Sequence, residues 1–280
     1  MSVSAAVAHA AAAAPLAALL PARRGVQWSV GPAPYGIRPN AATSRITDGR
    51  RALIVVEQGG RTEVYADRPD VFPVIPDASA DTSEPDPVAA LAARILRTVL
   101  PALDQEAAAE LAYTRGREKA LAARAADLQE VGFALLDHGA PVDVVEGAAG
   151  PGLMWTTDQG AAWGLWLYPV TPNLTLTYEG PVSGLYGLLP VLLPPLDGPA
   201  ASYLPDVTSG FTWHMTTRFP QLRTVDPDEV EFGRDPEPTG FVALPARSHR
   251  RALLEDSAPV AAEVGSLGAD LLLTAVSHLV

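Results

Sequence analysis

The segment that most constrains the fold is residues 152–180, which read GLMWTTDQGAAWGLWLYPVTPNLTLTYEG and hold three of the five tryptophans. Two short stretches of turn residues, Asp158–Gly160 and Thr171–Asn173, divide it into three apolar pieces. Turn residues between runs of β-branched and aromatic side chains are typical of a β-meander. The segment therefore predicts three consecutive antiparallel strands.

The loop positions also predict how the strands pair. The first loop sets Trp155 opposite Trp163 and Leu153 opposite Leu165. The second sets Trp166 opposite Tyr178 and Tyr168 opposite Leu176. The middle strand then has apolar side chains on both of its faces, whereas a strand with one face in water carries polar residues there. These are Trp163, Leu165 and Leu167 on one face and Trp166, Tyr168 and Val170 on the other.

Two interpretations follow from this pattern. Cross-strand aromatic pairs stabilise sheets by about 0.2–1 kcal/mol each, which makes core packing under helices the default. The alternative is an exposed aromatic surface, because such patches usually mark a binding site. That surface would comprise the aromatic residues Trp155, Trp163, Trp166, Tyr168 and Tyr178.

A second candidate site lies in the segment GFTWHMTTRF, residues 210–219, whose alternation predicts a strand. His214 and Arg218 would project from its polar face about 13 Å apart. They would hold an anionic group together only through a ligand that spans this gap, and a solvated strand face is the alternative. Asp206 and Glu179 are carboxylates that an active site here would recruit, although no spacing links them to His214.

The remaining sequence completes an α+β fold of two mixed or antiparallel β-meander halves, packed with Ala- and Leu-rich helices and divided as 1–139 and 140–280. In the first half, RALIVVEQGGRTEVYAD predicts a hairpin around Gly59-Gly60, and residues 76–87 predict a Pro/Ser/Asp linker before a helix capped by Asp86. The second half ends in an acidic loop at 225–238 and a helix from about residue 248. Each half follows the order helix, strand, hairpin, strand, helix, which suggests a weak internal duplication.

The amino-acid composition limits the classes of partner that the protein is expected to bind. The formal net charge of −12 argues against nucleic acid and anionic membranes, which need a cationic surface. Cysteine is absent, so disulfides and thiolate metal sites are excluded. The N-terminal Ala-rich run has its arginines after the apolar stretch, which favours a helix over a signal peptide. With a single lysine among twenty basic residues, these features predict an acidic cytoplasmic protein of bacterial origin.

Motifs for chemistry are missing from the sequence. The five histidines have no metal-ligand spacing, and neither a phosphate-binding loop nor a G-x-S-x-G nucleophile motif occurs. His138 follows Asp137 at a predicted helix end before Gly139, where the helix dipole alone favours a histidine. The sequence therefore predicts no catalytic residue, no metal and no cofactor.

The leading functional hypothesis is a non-catalytic adaptor or chaperone-like protein that binds another protein or peptide, or itself, through the aromatic surface. One alternative is an enzyme or small-molecule binder with a pocket near His214 and Arg218. Another is a subunit of a larger protein assembly.

Overall fold

The computed structural model describes residues 9–68, 73–147, 150–168, 173–195, 210–234, 236–245 and 256–280. The chain divides into two compact units, Met1–Leu103 and Asp104–Val280. The boundary inferred from the sequence, after residue 139, lies further along the chain.

Five antiparallel strands form the sheet of the first unit, in the order in which they occur along the chain. The predicted hairpin is confirmed, because its strands pair from Leu53 with Ala66 to Gln58 with Arg61. Gly59 and Gly60 form its turn with φ of 62° and 80°, values that glycine adopts without strain. The strands are β1 Ser29–Pro32, β2 Ala42–Thr47, β3 Ala52–Gln58, β4 Arg61–Ala66 and β5 Ala78–Asp81.

The prediction of a linker over residues 76–87 is wrong in part, because the segment contains β5. Ala78 and Ala80 are buried against the sheet, while the residues between and after them are not. Asp77 aligns this strand by accepting a hydrogen bond from the Ala66 backbone N–H at 2.8 Å. The alternation of buried and exposed residues in β5 rests on only two small alanines. Among the surrounding Pro, Ser and Asp residues, this alternation is hard to recognise in the sequence.

Residues 26–30 do not form one continuous strand. Strand β1 begins only at Ser29, and Val26 and Val30 are nearly half exposed, at 48% and 45%. Of Val26, Trp28 and Val30, only Trp28 is buried. It lies just before the strand, and its indole N–H donates to the Pro21 carbonyl at 3.1 Å.

The helices of the long central segment are α2 Pro87–Arg94, α3 Leu100–Arg115 and α4 Arg117–Asp137, and α1 is Ala13–Leu19. Asp86 caps α2, as predicted, by accepting the Ala89 backbone N–H at 3.0 Å. Pro101 does not end this run of helix, because it lies inside α3. A π-helical turn at Ile95–Val99 precedes it and accommodates a proline that has no N–H to donate.

Two glycines mark the ends of these helices. Gly116 has φ of 93° and separates α3 from α4. Gly139 has φ of 92° just after α4, so the helix stops beside His138. Both values are left-handed conformations that an L side chain strains to adopt.

Eight antiparallel strands form the sheet of the second unit. They are β6 Asp143–Gly147, β7 Gly150–Thr156, β8 Ala162–Trp166, β9 Leu174–Pro181, β10 Arg223–Asp226, β11 Glu229–Phe232, β12 Thr239–Ala243 and β13 Pro259–Leu267. Their order across the sheet is β10-β11-β12-β13-β9-β8-β7-β6. Short helices complete the unit: α5 Leu189–Leu192, α6 Gly210–Arg218 and α7 Ala269–Ala275, with 3-10 turns at Val182–Leu185 and Val276–His278.

Two sheets with helices confirm the α+β class. The sheets differ in strand number and in strand order, so the fold does not confirm an internal duplication. In the described ranges, no helix is both long and apolar enough to cross a bilayer.

Two strands of the second unit occupy segments predicted otherwise. The acidic loop at 225–238 contains β11, in which Val230 and Phe232 are buried. The helix predicted from residue 248 is wrong where β13 runs, because Val260, Ala262 and Val264 are buried while Glu263 is exposed. The alanines of β13 favour a helix by propensity, and pairing on both sides overrides that preference.

The register of the tryptophan segment is half as predicted. Trp155 pairs with Trp163 and Leu153 with Leu165, which confirms the first hairpin. The second prediction is wrong, because Trp163, not Trp166, lies opposite Tyr178. The observed register differs from the predicted one by an odd number of residues. Tyr178 therefore lies on the same face of the sheet as Trp163 and not on that of Trp166. Residues 169–172, with most of the second loop and Val170, lie outside the described residues.

Candidate functional site

The aromatic residues of the meander divide between the two faces of the eight-stranded sheet. Trp155, Trp163 and Tyr178 are at most 3% exposed and lie on one face. The indoles of Trp155 and Trp163 stack with centroids 6.1 Å apart and planes 9° apart, and the Tyr178 ring tilts against Trp163 at 4.4 Å. These three rings are therefore core residues of the second unit.

Helices cover this face. A β-carbon on Gly132 of α4 would lie 3.0 Å from Leu153 Cδ1, so α4 packs directly on β7. The indole N–H of Trp155 donates to the Leu279 carbonyl at 2.7 Å, which satisfies its buried polar atom and holds the segment after α7 against the sheet.

A cavity of about 440 Å³ opens beside this core, where the β7–β8 turn approaches the end of α4 and the segment after α7. Trp155 and Trp163 form part of its apolar wall. Its polar lining includes side chains from four separate segments: His138, Asp158, Gln159, Ser183 and His278. Small-molecule sites in proteins commonly enclose about 300–1,000 Å³ and combine apolar walls with a few polar groups.

Each histidine of the cavity is held by its surroundings. The His138 Nδ1 atom lies 2.8 Å from the Ala134 carbonyl, and because a carbonyl only accepts, Nδ1 carries a proton. In the neutral ring Nε2 is then an acceptor. His278 Nδ1 would lie 2.9 Å from a β-carbon on Gly187, so only glycine leaves the ring its space.

The segment predicted as a strand with a polar face is helix α6, and that prediction is wrong. His214 and Arg218 lie one helical turn apart instead of about 13 Å apart, so they share one face. Both meet Tyr186: its hydroxyl lies 2.8 Å from His214 Nε2, and the Arg218 Cζ atom lies 3.9 Å from the centre of its ring.

Asp256 completes this cluster, which sequence reasoning did not find. Tyr186 donates its hydroxyl proton to Asp256 Oδ1 at 2.9 Å. Burial, followed by this hydrogen bond and the charge of Asp256, raises the pKa of Tyr186 to about 12. The phenol is therefore protonated and neutral at physiological pH. Asp206 lies outside the described residues, and Glu179 is exposed on β9.

The other face of the sheet presents Trp166. Its indole lies across Gly147, Gly152 and Gly164 of β6, β7 and β8, because a β-carbon on any of them would clash with the ring, at 2.8 Å for Gly147 and 2.7 Å for Gly164. The indole N–H donates to Thr177 Oγ1 at 3.1 Å. Trp166 and Tyr168 are half-buried, and Met154 on the same face as Trp166 is 42% exposed.

The described part of the chain contains no group of three or more metal-ligating side chains. No protein-family model matches this sequence, and no curated protein or solved structure is significantly similar to it.

Proposed function

We propose that the second unit binds a small organic molecule in the cavity beside Trp155 and Trp163. The observation that carries this proposal is the cavity itself, about 440 Å³ with two indoles and two histidines in its wall. Binding of a small molecule was one of the alternatives drawn from the sequence, which placed the pocket near His214 and Arg218. The cavity proposed here lies beside Trp155 and Trp163 instead.

The wall favours a ligand with a planar apolar part and hydrogen-bonding substituents. The indoles of Trp155 and Trp163 offer contact to an aromatic ring. His138 offers Nε2 as an acceptor, while Asp158 accepts and Gln159 both donates and accepts hydrogen bonds. Heteroaromatic molecules that carry amide, amine or hydroxyl groups match this set.

A tryptophan at the cavity rim is expected to abolish ligand binding. Thr156 lines the cavity and is exposed, so Thr156→Trp fills the opening without overpacking the core. Ligand-observed NMR with a library of heteroaromatic fragments should identify binders of the wild type that the variant does not bind.

Met154→Trp is the matched control, because Met154 is exposed on the same strand and does not line the cavity. It should bind the same fragments as the wild type. The proposal is wrong if the wild type binds none of the fragments, or if Thr156→Trp binds them as well as Met154→Trp does.

A second candidate function is binding of a protein or peptide on the face that carries Trp166. It is supported by the half-buried indole lying flat on glycines, beside the exposed Met154. A flat, partly exposed aromatic ring offers contact area without the entropy cost of a flexible side chain.

Substitution of both Trp166 and Tyr168 by alanine is expected to remove one specific partner in a pull-down from the source cell. Trp213→Ala is the matched control, because Trp213 is 53% exposed and lies on α6 instead of the sheet. Mass spectrometry should find the partner with the wild type and with Trp213→Ala. Identical protein sets for all three proteins would contradict this candidate.

A further inference from the structure

In the part of the chain that the structure describes, the arginine of the cluster around Tyr186, Arg218, has no carboxylate partner. Within the described ranges, Arg218 makes neither a hydrogen bond nor an ion pair, although the chain carries a net charge of −12. Its guanidinium instead stacks on the Tyr186 ring at 3.9 Å and is exposed to solvent. Stacking fixes the plane of the guanidinium and leaves its N–H edges open.

The carboxylate of this cluster, Asp256, binds the Tyr186 hydroxyl. A tyrosine hydroxyl has one proton, and Asp256 receives it because an ionised carboxylate only accepts. His214 Nε2 must then donate to the hydroxyl oxygen, which assigns its proton to Nε2. Asp256 and His214 thus both bind the phenol hydroxyl, while Arg218 lies over the face of the ring.

We propose that the Arg218 guanidinium binds an oxyanion, the carboxylate or phosphate group of a small molecule, on this face of α6, while His214 holds Tyr186 in place. The guanidinium supplies two parallel N–H donors, the geometry that such groups accept. Tyr186 acts as the positioning residue, since it orients both side chains by stacking and by its hydroxyl. This site uses none of the side chains of the cavity proposal and stands independently of it.

The test is an NMR titration of the full chain with inorganic phosphate and, separately, with acetate, following the Arg Nε–H and His ring signals. Saturable shifts at Arg218 and His214 are expected. Tighter binding of phosphate would assign a phosphate ligand, and tighter binding of acetate a carboxylate ligand. Arg218→Gln should weaken the binding about tenfold or more, the usual loss for a charged hydrogen-bond partner.

Arg223→Gln removes the same charge from an exposed arginine that already pairs with Glu231 at 2.7 Å, so it should leave the affinity unchanged. Arg218→Lys keeps the charge but loses the planar fork and should bind weakly. Shifts that never saturate, or equal losses in Arg218→Gln and Arg223→Gln, would show an adventitious ion only and overturn the proposal.

Tyr186→Phe tests the positioning role, because it keeps the ring and removes the hydroxyl. The ring nitrogen shifts of His214 should change from the Nε2-protonated form to a mixture of tautomers. Unchanged tautomer signals would contradict that role. Thr156→Trp should leave phosphate binding intact, so failure of the cavity proposal and failure of this one are distinguishable.

Discussion

Replacing Trp163 with alanine is expected to lower the free energy of unfolding by about 3–5 kcal/mol, the usual cost of truncating a buried tryptophan. The side chain is 3% exposed and contacts both Trp155 and Tyr178, so its loss leaves a void between two rings. The surrounding strands are paired on both sides and have little freedom to close that void.

Urea unfolding followed by circular dichroism measures this loss, and hydrogen exchange locates it in β8 and β9. Trp166→Ala is the matched control, because Trp166 lies on the same strand but is half-buried on the other face. Its loss of stability should be clearly smaller. Equal losses for the two variants would contradict the assignment of Trp163 to the core.

Replacing Asp48 with alanine is expected to lower the free energy of unfolding by about 3–5 kcal/mol, because it breaks the buried ion pair with Arg51. Both side chains are almost fully buried, at 1% and 6% exposed, and their closest atoms are 2.7 Å apart. The same carboxylate accepts the backbone N–H groups of Arg50 and Arg51 at 2.9 and 2.7 Å, which closes the β2–β3 turn.

The effect of Asp48→Ala should depend on pH. Burial alone would raise the pKa of Asp48, but the Arg51 backbone N–H, the Arg51 guanidinium and the Arg50 N–H outweigh it, and the net pKa is lowered. A lowered folded-state pKa stabilises the protein above the unfolded value of about 3.9 and loses that stabilisation as the pH falls towards the folded value.

The stability difference between wild type and Asp48→Ala should therefore be largest at neutral pH and shrink below about pH 4. Urea unfolding at pH 7 and pH 3 measures it, with the variant itself correcting for all other carboxylates. A difference that stays constant over this range would show that folding does not lower the pKa of Asp48.

Sequence patterns predicted those parts of the fold that local chemistry determines. Gly59-Gly60 and Asp158–Gly160 contain the turn residues that set the β3–β4 and β7–β8 registers, and both hairpins are as predicted. Gly116 and Gly139 ended helices because their conformations are unfavourable for other residues.

The prediction failed where packing between distant segments decides the structure. Residues 211–219 alternate like a strand, yet Phe211 and Met215 also stand four apart and are buried on one side of α6. Trp213 lies between them and is exposed, so burial follows the helical period of 3.6 residues and not the strand period of two. The sequence pattern alone does not reveal that this segment packs against β11, a contact made only in the folded unit.

The candidate sites had no local signature for the same reason. His138, Asp158, Ser183 and His278 come together only after α4, the β7–β8 turn and the segment after α7 have packed. Tyr186 and Asp256 are 70 residues apart and stand in no motif. One signal was present in the sequence, because His214 and Arg218 at a spacing of four share a face if the segment is helical.

The most direct test of the account is a crystal structure of the protein soaked with the heteroaromatic fragments that bind it in solution. We expect electron density for a fragment in the cavity, against the edges of Trp155 and Trp163 and within hydrogen-bonding distance of His138 or Asp158. Fragments found only on the opposite face beside Trp166, with the cavity filled by ordered water alone, would contradict it.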